Sequence, residues 1–142
     1  MSNLIRQKLI VAIDGLAMGI ANDSKTFLLF LPEGEWHEIG LLFSCYILRK
    51  RGYKVVYLGQ SVPYDNLKEV VNLRNCNVLL TQFISAITDE GLQDYINRLS
   101  FDFPEMSIFM GGYQFLDREL DIPKNVSVYN DMTEFKEMVF KS

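Results

Sequence analysis

His37 is the single histidine of the chain, and Glu35 stands two residues before it. An imidazole that ligates a metal through one ring nitrogen usually donates its other N–H to a carboxylate, which fixes the tautomer and raises the basicity of the ligating atom. A glutamate at this spacing suits that task. Gly40 follows three residues after the histidine. A glycine inside a helix costs about 1 kcal/mol against alanine, so its presence there has a packing reason. Without a side chain it lets a large flat ligand approach the backbone. By itself, a Glu-x-His pair more often marks an ordinary surface histidine at a helix start, with the glutamate as a poor N-cap.

Two other clusters bear on that choice. Thr81-x-Phe83-x-Ser85 carries two hydroxyls, and Gly111-Gly112 offers a stretch without side chains. Taken singly, the hydroxyls cap helices and the glycine pair makes a turn. Brought to one place with His37, they could wall a narrow slot of backbone and hydroxyls. Whether they meet depends on the elements that carry them.

Those elements alternate. Thr26 to Leu31 is a short continuous apolar run, which suits a strand buried on both faces of a parallel sheet. Residues 37–51 read as a helix with Ile39, Leu42, Phe43, Tyr46 and Ile47 inward, closed by Gly52. Further strands are expected at Tyr53–Leu58, Val78–Thr81, Ser107–Met110 and Val126–Tyr129. Helices are expected at Tyr64–Leu73, Asp89–Leu99 and Asp131–Lys141, with a loop at Gly59–Pro63. This pattern predicts a doubly wound, flavodoxin-like (Rossmann-like) α/β fold with a five-stranded parallel sheet in the order 2-1-3-4-5. Ligands in such folds bind beyond the carboxyl ends of the strands, near the switch point. Residues 32–40, 59–63, 81–86, 111–115 and 129–130 all fall there.

A helix is also expected at residues 3–20. Ile5, Leu9, Ile13, Leu16 and Ile20 form one apolar stripe, and Leu4, Val11 and Met18 a second. A helix apolar on two faces has neighbours on both. The chain supplies one of them, which suggests that the chain is a fragment or that the helix packs in a dimer.

Composition and missing motifs narrow the function. Of the 142 residues, 49% are apolar and 23% charged, as in globular proteins. No apolar run is long enough to span a bilayer and no signal peptide is visible, so the expectation is a soluble, cytoplasmic chain with no membrane association. The net charge is −4, and Lys and Arg gather only at Arg49-Lys50-Arg51, where a helix should end. That argues against nucleic-acid binding by this chain alone. Cys45 and Cys76 form no CxxC pair and read as core thiols. The loop after the first strand has no GxGxxG and three carboxylates, which disfavours dinucleotides and flavin phosphate. Thr81 and Tyr129-Asn130 stand where a phosphoacceptor domain would need Asp and Lys. No acid/base pair, nucleophile or metal cluster independent of a cofactor appears, so catalysis by this chain is not expected.

Together, Glu35-x-His37-x-x-Gly40, Thr81-x-Phe83 and Gly111-Gly112 resemble the motifs of the cobalamin-binding domain shared by methionine synthase, corrinoid methyl-transfer proteins and adenosylcobalamin mutases. The resemblance covers about residues 26–130. That family has Asp where Glu35 stands, and Ser-x-Leu where Thr81-x-Phe83 stands. The resemblance implies cobalamin bound base-off, with His37 as lower ligand to cobalt and the dimethylbenzimidazole tail buried. It places Gly34, Glu35, Trp36, His37, Glu38, Gly40, Thr81, Phe83 and Ser85 at the cofactor, and Gly111 and Gly112 beside its nucleotide tail.

Pro32 to Gly40, Tyr57 to Pro63 and Ser2 to Leu9 look closer to one branch, the MerR-type CarH/LitR-like regulators with cobalamin-binding C-terminal domains. That likeness implies that residues 1–21 are the terminal helix of a helical bundle and residues 22–142 the cobalamin-binding domain. The rest of the bundle and a winged-helix DNA reader would lie outside this chain. The implied cofactor is adenosylcobalamin, with methylcobalamin as the alternative. The implied function is a homo-oligomeric, light-responsive transcriptional regulator. A corrinoid carrier for a methyltransferase system and a cofactor-free interaction module are the competing readings.

Overall fold

A computed structural model describes residues 3–16 and 22–140, with side chains from residue 25 in the second segment. Among them the expected sheet is present: five parallel strands in the order β2-β1-β3-β4-β5. The central strand β1 (Asn22–Pro32) contains the apolar run, and Phe27 to Leu31 are fully buried. It lies between β2 (Tyr53–Val62) and β3 (Val78–Gln82), with β4 (Ser107–Gly111) and β5 (Val126–Tyr129) beyond.

Two cores flank the sheet. Leu28, Phe30, Leu79, Ile108 and Met110 pack on one face against Leu67 and Val71 of α3 (Tyr64–Arg74) and Leu92, Ile96 and Leu99 of α4 (Asp89–Asp102). Phe27, Leu29, Leu31, Val78 and Leu80 pack on the other against Leu41 and Leu48 of α2 (Ile39–Lys50) and Phe135 and Val139 of α5 (Met132–Phe140). Each such Leu, Val or Phe contributes roughly 1.5–3 kcal/mol when fully buried. Strict alternation along β3 therefore decides which face each side chain serves. Cys45 and Cys76 are free and buried, and burial pushes both thiols up. Arg49 and Lys50 close α2, Arg49 donating to the Val55 carbonyl at 3.2 Å, while Arg51 stacks on the Phe140 ring.

Several boundaries differ from expectation. The first helix, α1, is Asn3–Asp14, ending where Gly15 and Leu16 turn back onto Val11 and Ile13 carbonyls; residues 17–21, with Met18 and Ile20, lie outside the described residues. It rests against α2, with Ile13 on the α2/α5 core, while Leu4 and Val11 remain exposed. The β2 strand continues through the predicted loop to Val62, because Gly59 and Ser61 adopt positive φ and let Val62 pair with Pro32. Helix α2 begins at Ile39, so His37 and Glu38 precede it rather than occupying its first turn.

Candidate functional site

The chain leaves β1 through a tight turn in which the Glu35 N–H donates to the Pro32 carbonyl at 2.9 Å. Gly34 has φ +90°, a conformation open to glycine. Its N–H donates to Ser61 Oγ at 3.0 Å, and the Ser61 N–H donates to the Glu35 carbonyl at 3.0 Å. The loop is thus stitched to the end of β2. Ser61, whose φ of +49° re-aims its side chain, had no distinguishing signal in the sequence.

This turn directs Glu35 inward. Its Oε1 accepts the backbone N–H of Ile84 at 2.5 Å and of Ser85 at 2.7 Å. Its Oε2 accepts the Ser85 hydroxyl at 2.9 Å and faces His37 Nδ1 at 2.8 Å. Burial alone would raise the Glu35 carboxyl. The Ser85 N–H, the His37 ring, the Ile84 N–H and the Ser85 hydroxyl outweigh it and hold the pKa at about 2. An ionised Glu35 can only accept, so His37 donates from Nδ1, and in the neutral ring the lone pair is then on Nε2. The His37 side chain is 57% exposed, so Nε2 is accessible at the carboxyl edge of the sheet. Trp36 beside it is exposed as well.

Glu38 behaves differently. Although next to His37, its carboxylate is buried and turned to a separate pair of partners: Arg6 Nε of α1 donates at 2.7 Å and the Tyr57 hydroxyl at 2.6 Å. Burial, then the Glu38 carboxylate, pushes the Tyr57 phenol up, so it stays a donor. Neither Arg6 nor Tyr57 was legible as a site residue, because they meet Glu38 only through tertiary contact.

The glycines are close-packed by the chain itself. A Cβ on Gly40 would lie 2.5 Å from Gln82 Oε1, one on Gly111 would collide with the Tyr129 ring, and one on Gly112 (φ +110°) with the Phe83 backbone. Gln82 Nε2 donates to the Tyr129 hydroxyl at 3.0 Å, and both side chains are buried. Burial, partly offset by Gln82 and Ser44, raises the Tyr129 phenol to about 12. The open slot expected at Gly111-Gly112 is therefore filled among the described residues. The packing reason inferred for Gly40 is Gln82.

Thr81 and Phe83 share a face with Leu79, toward α3 and α4, where Phe83 meets the Tyr95 and Phe115 rings edge-on. Gln82 shares the α2/α5 face with Leu80. Thr81 Oγ1 is buried with no hydrogen-bond partner among the described residues. The structure thus brings Glu35, His37 and Ser85 together and places Thr81 on the side of the sheet away from Gln82. Among the described residues no group of three or more His, Cys, Asp or Glu side chains could hold a metal ion. A metal at His37 would bring its other ligands with it.

Comparison with known proteins gives this arrangement a context. No protein-family model matches the chain. Over 112 residues, 78% of the chain, it is 28% identical to the HTH-type transcriptional repressor CarH of Myxococcus xanthus. The chain is a relative of CarH. It spans 36% of CarH's length. Among solved structures, the monomethylamine corrinoid protein of Methanosarcina barkeri superimposes with a TM-score of 0.66 at 17% identity, covering 97% of this chain and 63% of that one. The methanol:cobalamin methyltransferase complex MtaBC of the same organism gives 0.64 at 17% identity, covering 87% and 50%. A cobalamin-binding protein from Desulfitobacterium hafniense gives 0.53 at 20% identity, covering 63% and 44%. At these identities the three structures share the fold of the CarH-related chain. No helix among the described residues is long and apolar enough to cross a membrane.

Proposed function

We propose that residues 22–142 form a corrinoid-binding sensory domain of a CarH-like regulator, with His37 as the axial ligand on the lower side of cobalt. Residues 1–21 would be the terminal helix of a bundle, and DNA would be contacted by segments outside this chain. The observation that carries the proposal is the Glu35–His37–Ser85 relay at the carboxyl edge of the sheet. It holds the imidazole in one tautomer with Nε2 exposed. The sequence relation to CarH and the shared fold with corrinoid proteins support the choice of ligand.

The donor set fits the ring half of such a group, since one nitrogen suffices when a macrocycle supplies the equatorial ligands. It does not fit a buried tail, because Gln82 and Tyr129 fill the space beside Gly40 and Gly111. When bound, an alkylcorrinoid supplies a cobalt–carbon bond whose cleavage can serve as a signal. Glu35 keeps the proton on Nδ1, the amides of Ile84 and Ser85 hold Glu35, and Ser61 holds the loop.

As a regulator the domain would take adenosylcobalamin, respond to light, and act in a cytoplasmic homo-oligomer. A methyl carrier, which would take methylcobalamin, is the second reading, supported by the fold match covering 97% of the chain. Visible spectra of the chain and of His37→Ala with aquocobinamide, which brings no tail, test the ligand assignment. The wild-type spectrum should shift on binding and the variant should lose that shift. Identical spectra would remove His37 from the role.

A further inference from the structure

Four features meet on the α2/α5 face at the carboxyl edge of the sheet. Gly40 leaves room that the Gln82 amide occupies, and Gly111 leaves room that the Tyr129 ring occupies. The Gln82 amide N–H donates to the Tyr129 hydroxyl at 3.0 Å, bridging the ends of β3 and β5. Ser44, one turn along α2 from Gly40, is buried and donates to the Gly40 carbonyl at 3.0 Å, while also interacting with Tyr129. Tyr129 in turn packs on Phe135 of α5, with ring centroids 5.3 Å apart. The Gln82, Tyr129 and Ser44 side chains are all buried and hydrogen-bonded, and the glycine vacancies are used. It is a finished piece of core.

The His37 side chain is exposed, and among the described residues its ring partners are Glu35 and Ser85. No hydrogen bond among the described residues links His37 to Gln82 or Tyr129, so a planar ring held at Nε2 need not break that pair. A substituent passing from that ring into the sheet edge would have to displace both side chains and break their hydrogen bond. We propose that Gln82 and Tyr129 form an internal plug that selects corrinoids by their lower substituent, admitting the corrin ring while disfavouring a buried nucleotide tail. Tail-less corrinoids of the cobinamide class are then the preferred ligands of this site. The inference rests on corrinoid binding at His37.

The test is a titration of the chain with aquocobinamide and with aquocobalamin, followed by visible absorbance, for wild type, Gln82→Ala and Tyr129→Phe. Cobalamin must also detach its own base before His37 can bind, but that cost is common to all three proteins. The change in the cobinamide-to-cobalamin affinity ratio between them therefore reports the plug. Wild type should favour cobinamide at least tenfold. Gln82→Ala, which empties the space beside Gly40, should cut that ratio at least fivefold by improving cobalamin alone. Tyr129→Phe keeps the ring against Gly111 and Phe135 and frees the Gln82 amide, so it should move the ratio the same way by a smaller factor. Thermal unfolding identifies any variant that fails to fold, and the other then carries the comparison. Wild type binding cobalamin as tightly as cobinamide, or a ratio unchanged in a folded variant, would overturn the plug while leaving corrinoid binding intact. Binding of neither corrinoid would overturn both proposals.

Discussion

Replacing Glu35 by glutamine tests the relay at its centre. The carboxylate receives two backbone N–H groups, a hydroxyl and an imidazole, and its pKa of about 2 lies well below its usual 4.5. At about 1.4 kcal/mol per pKa unit, the ionised group contributes up to roughly 3 kcal/mol to folding at pH 5.5. The sign follows from the folded pKa lying below the unfolded one. This stabilisation is present above the unfolded value and is lost as pH falls through 4.5 toward 2. By pH 3 less than half, about 1.4 kcal/mol, should remain. Glutamine keeps one acceptor and adds an NH2 that cannot accept from Nδ1, so it also favours the tautomer with the proton on Nε2. Urea unfolding of both proteins at pH 5.5 and pH 3 is the assay. Glu35→Gln should be about 2–3 kcal/mol less stable at pH 5.5, and the gap should shrink by at least half at pH 3. A gap that stays constant between the two pH values, or is absent at pH 5.5, would refute the attribution of the low pKa to these hydrogen bonds.

Other outcomes follow from the same contacts. Arg6→Ala leaves the buried Glu38 carboxylate with Tyr57 as its remaining side-chain partner and should cost about 1.5–3 kcal/mol, with faster hydrogen exchange in α1. A loss under about 0.5 kcal/mol would make the pair incidental. Gly112→Ala should destabilise the fold by more than about 2 kcal/mol, because its Cβ meets the Phe83 backbone at a φ of +110°. Gly111→Ala meets a side chain instead, so its cost should fall when combined with Tyr129→Ala; strictly additive losses in denaturant unfolding would argue that the ring is not the obstacle.

Much of the architecture was legible because parallel strands buried on both faces leave continuous apolar runs. Thr26 to Leu31 and Val78 to Thr81 announced themselves in this way. The topology then places all carboxyl ends together, which is why Glu35, His37 and Ser85 could be grouped across 48 to 50 positions. What the sequence could not show is parity and reach. One residue along β3 separates Thr81 on the α3/α4 face from Gln82 on the α2/α5 face, and only the register fixes which is which. Gly40 signalled a close approach, but a glycine does not say who approaches. The answer, Gln82, is 42 residues away. Arg6 and Tyr57 look like ordinary members of a helix and an edge strand until Glu38 turns toward them. The continuation of β2 depends on positive φ values at Gly59 and Ser61, of which a serine gives no warning.

The central claim is that a nitrogen of His37 binds cobalt. As the chain holds a single histidine, incorporating 15N-histidine labels that site alone. Paramagnetic resonance of the chain loaded with a cobalt(II) corrinoid should show the nitrogen superhyperfine triplet of an unlabelled axial ligand become a doublet in the labelled protein. A triplet that persists after labelling would mean that the axial nitrogen comes from the corrinoid's own base and not from His37.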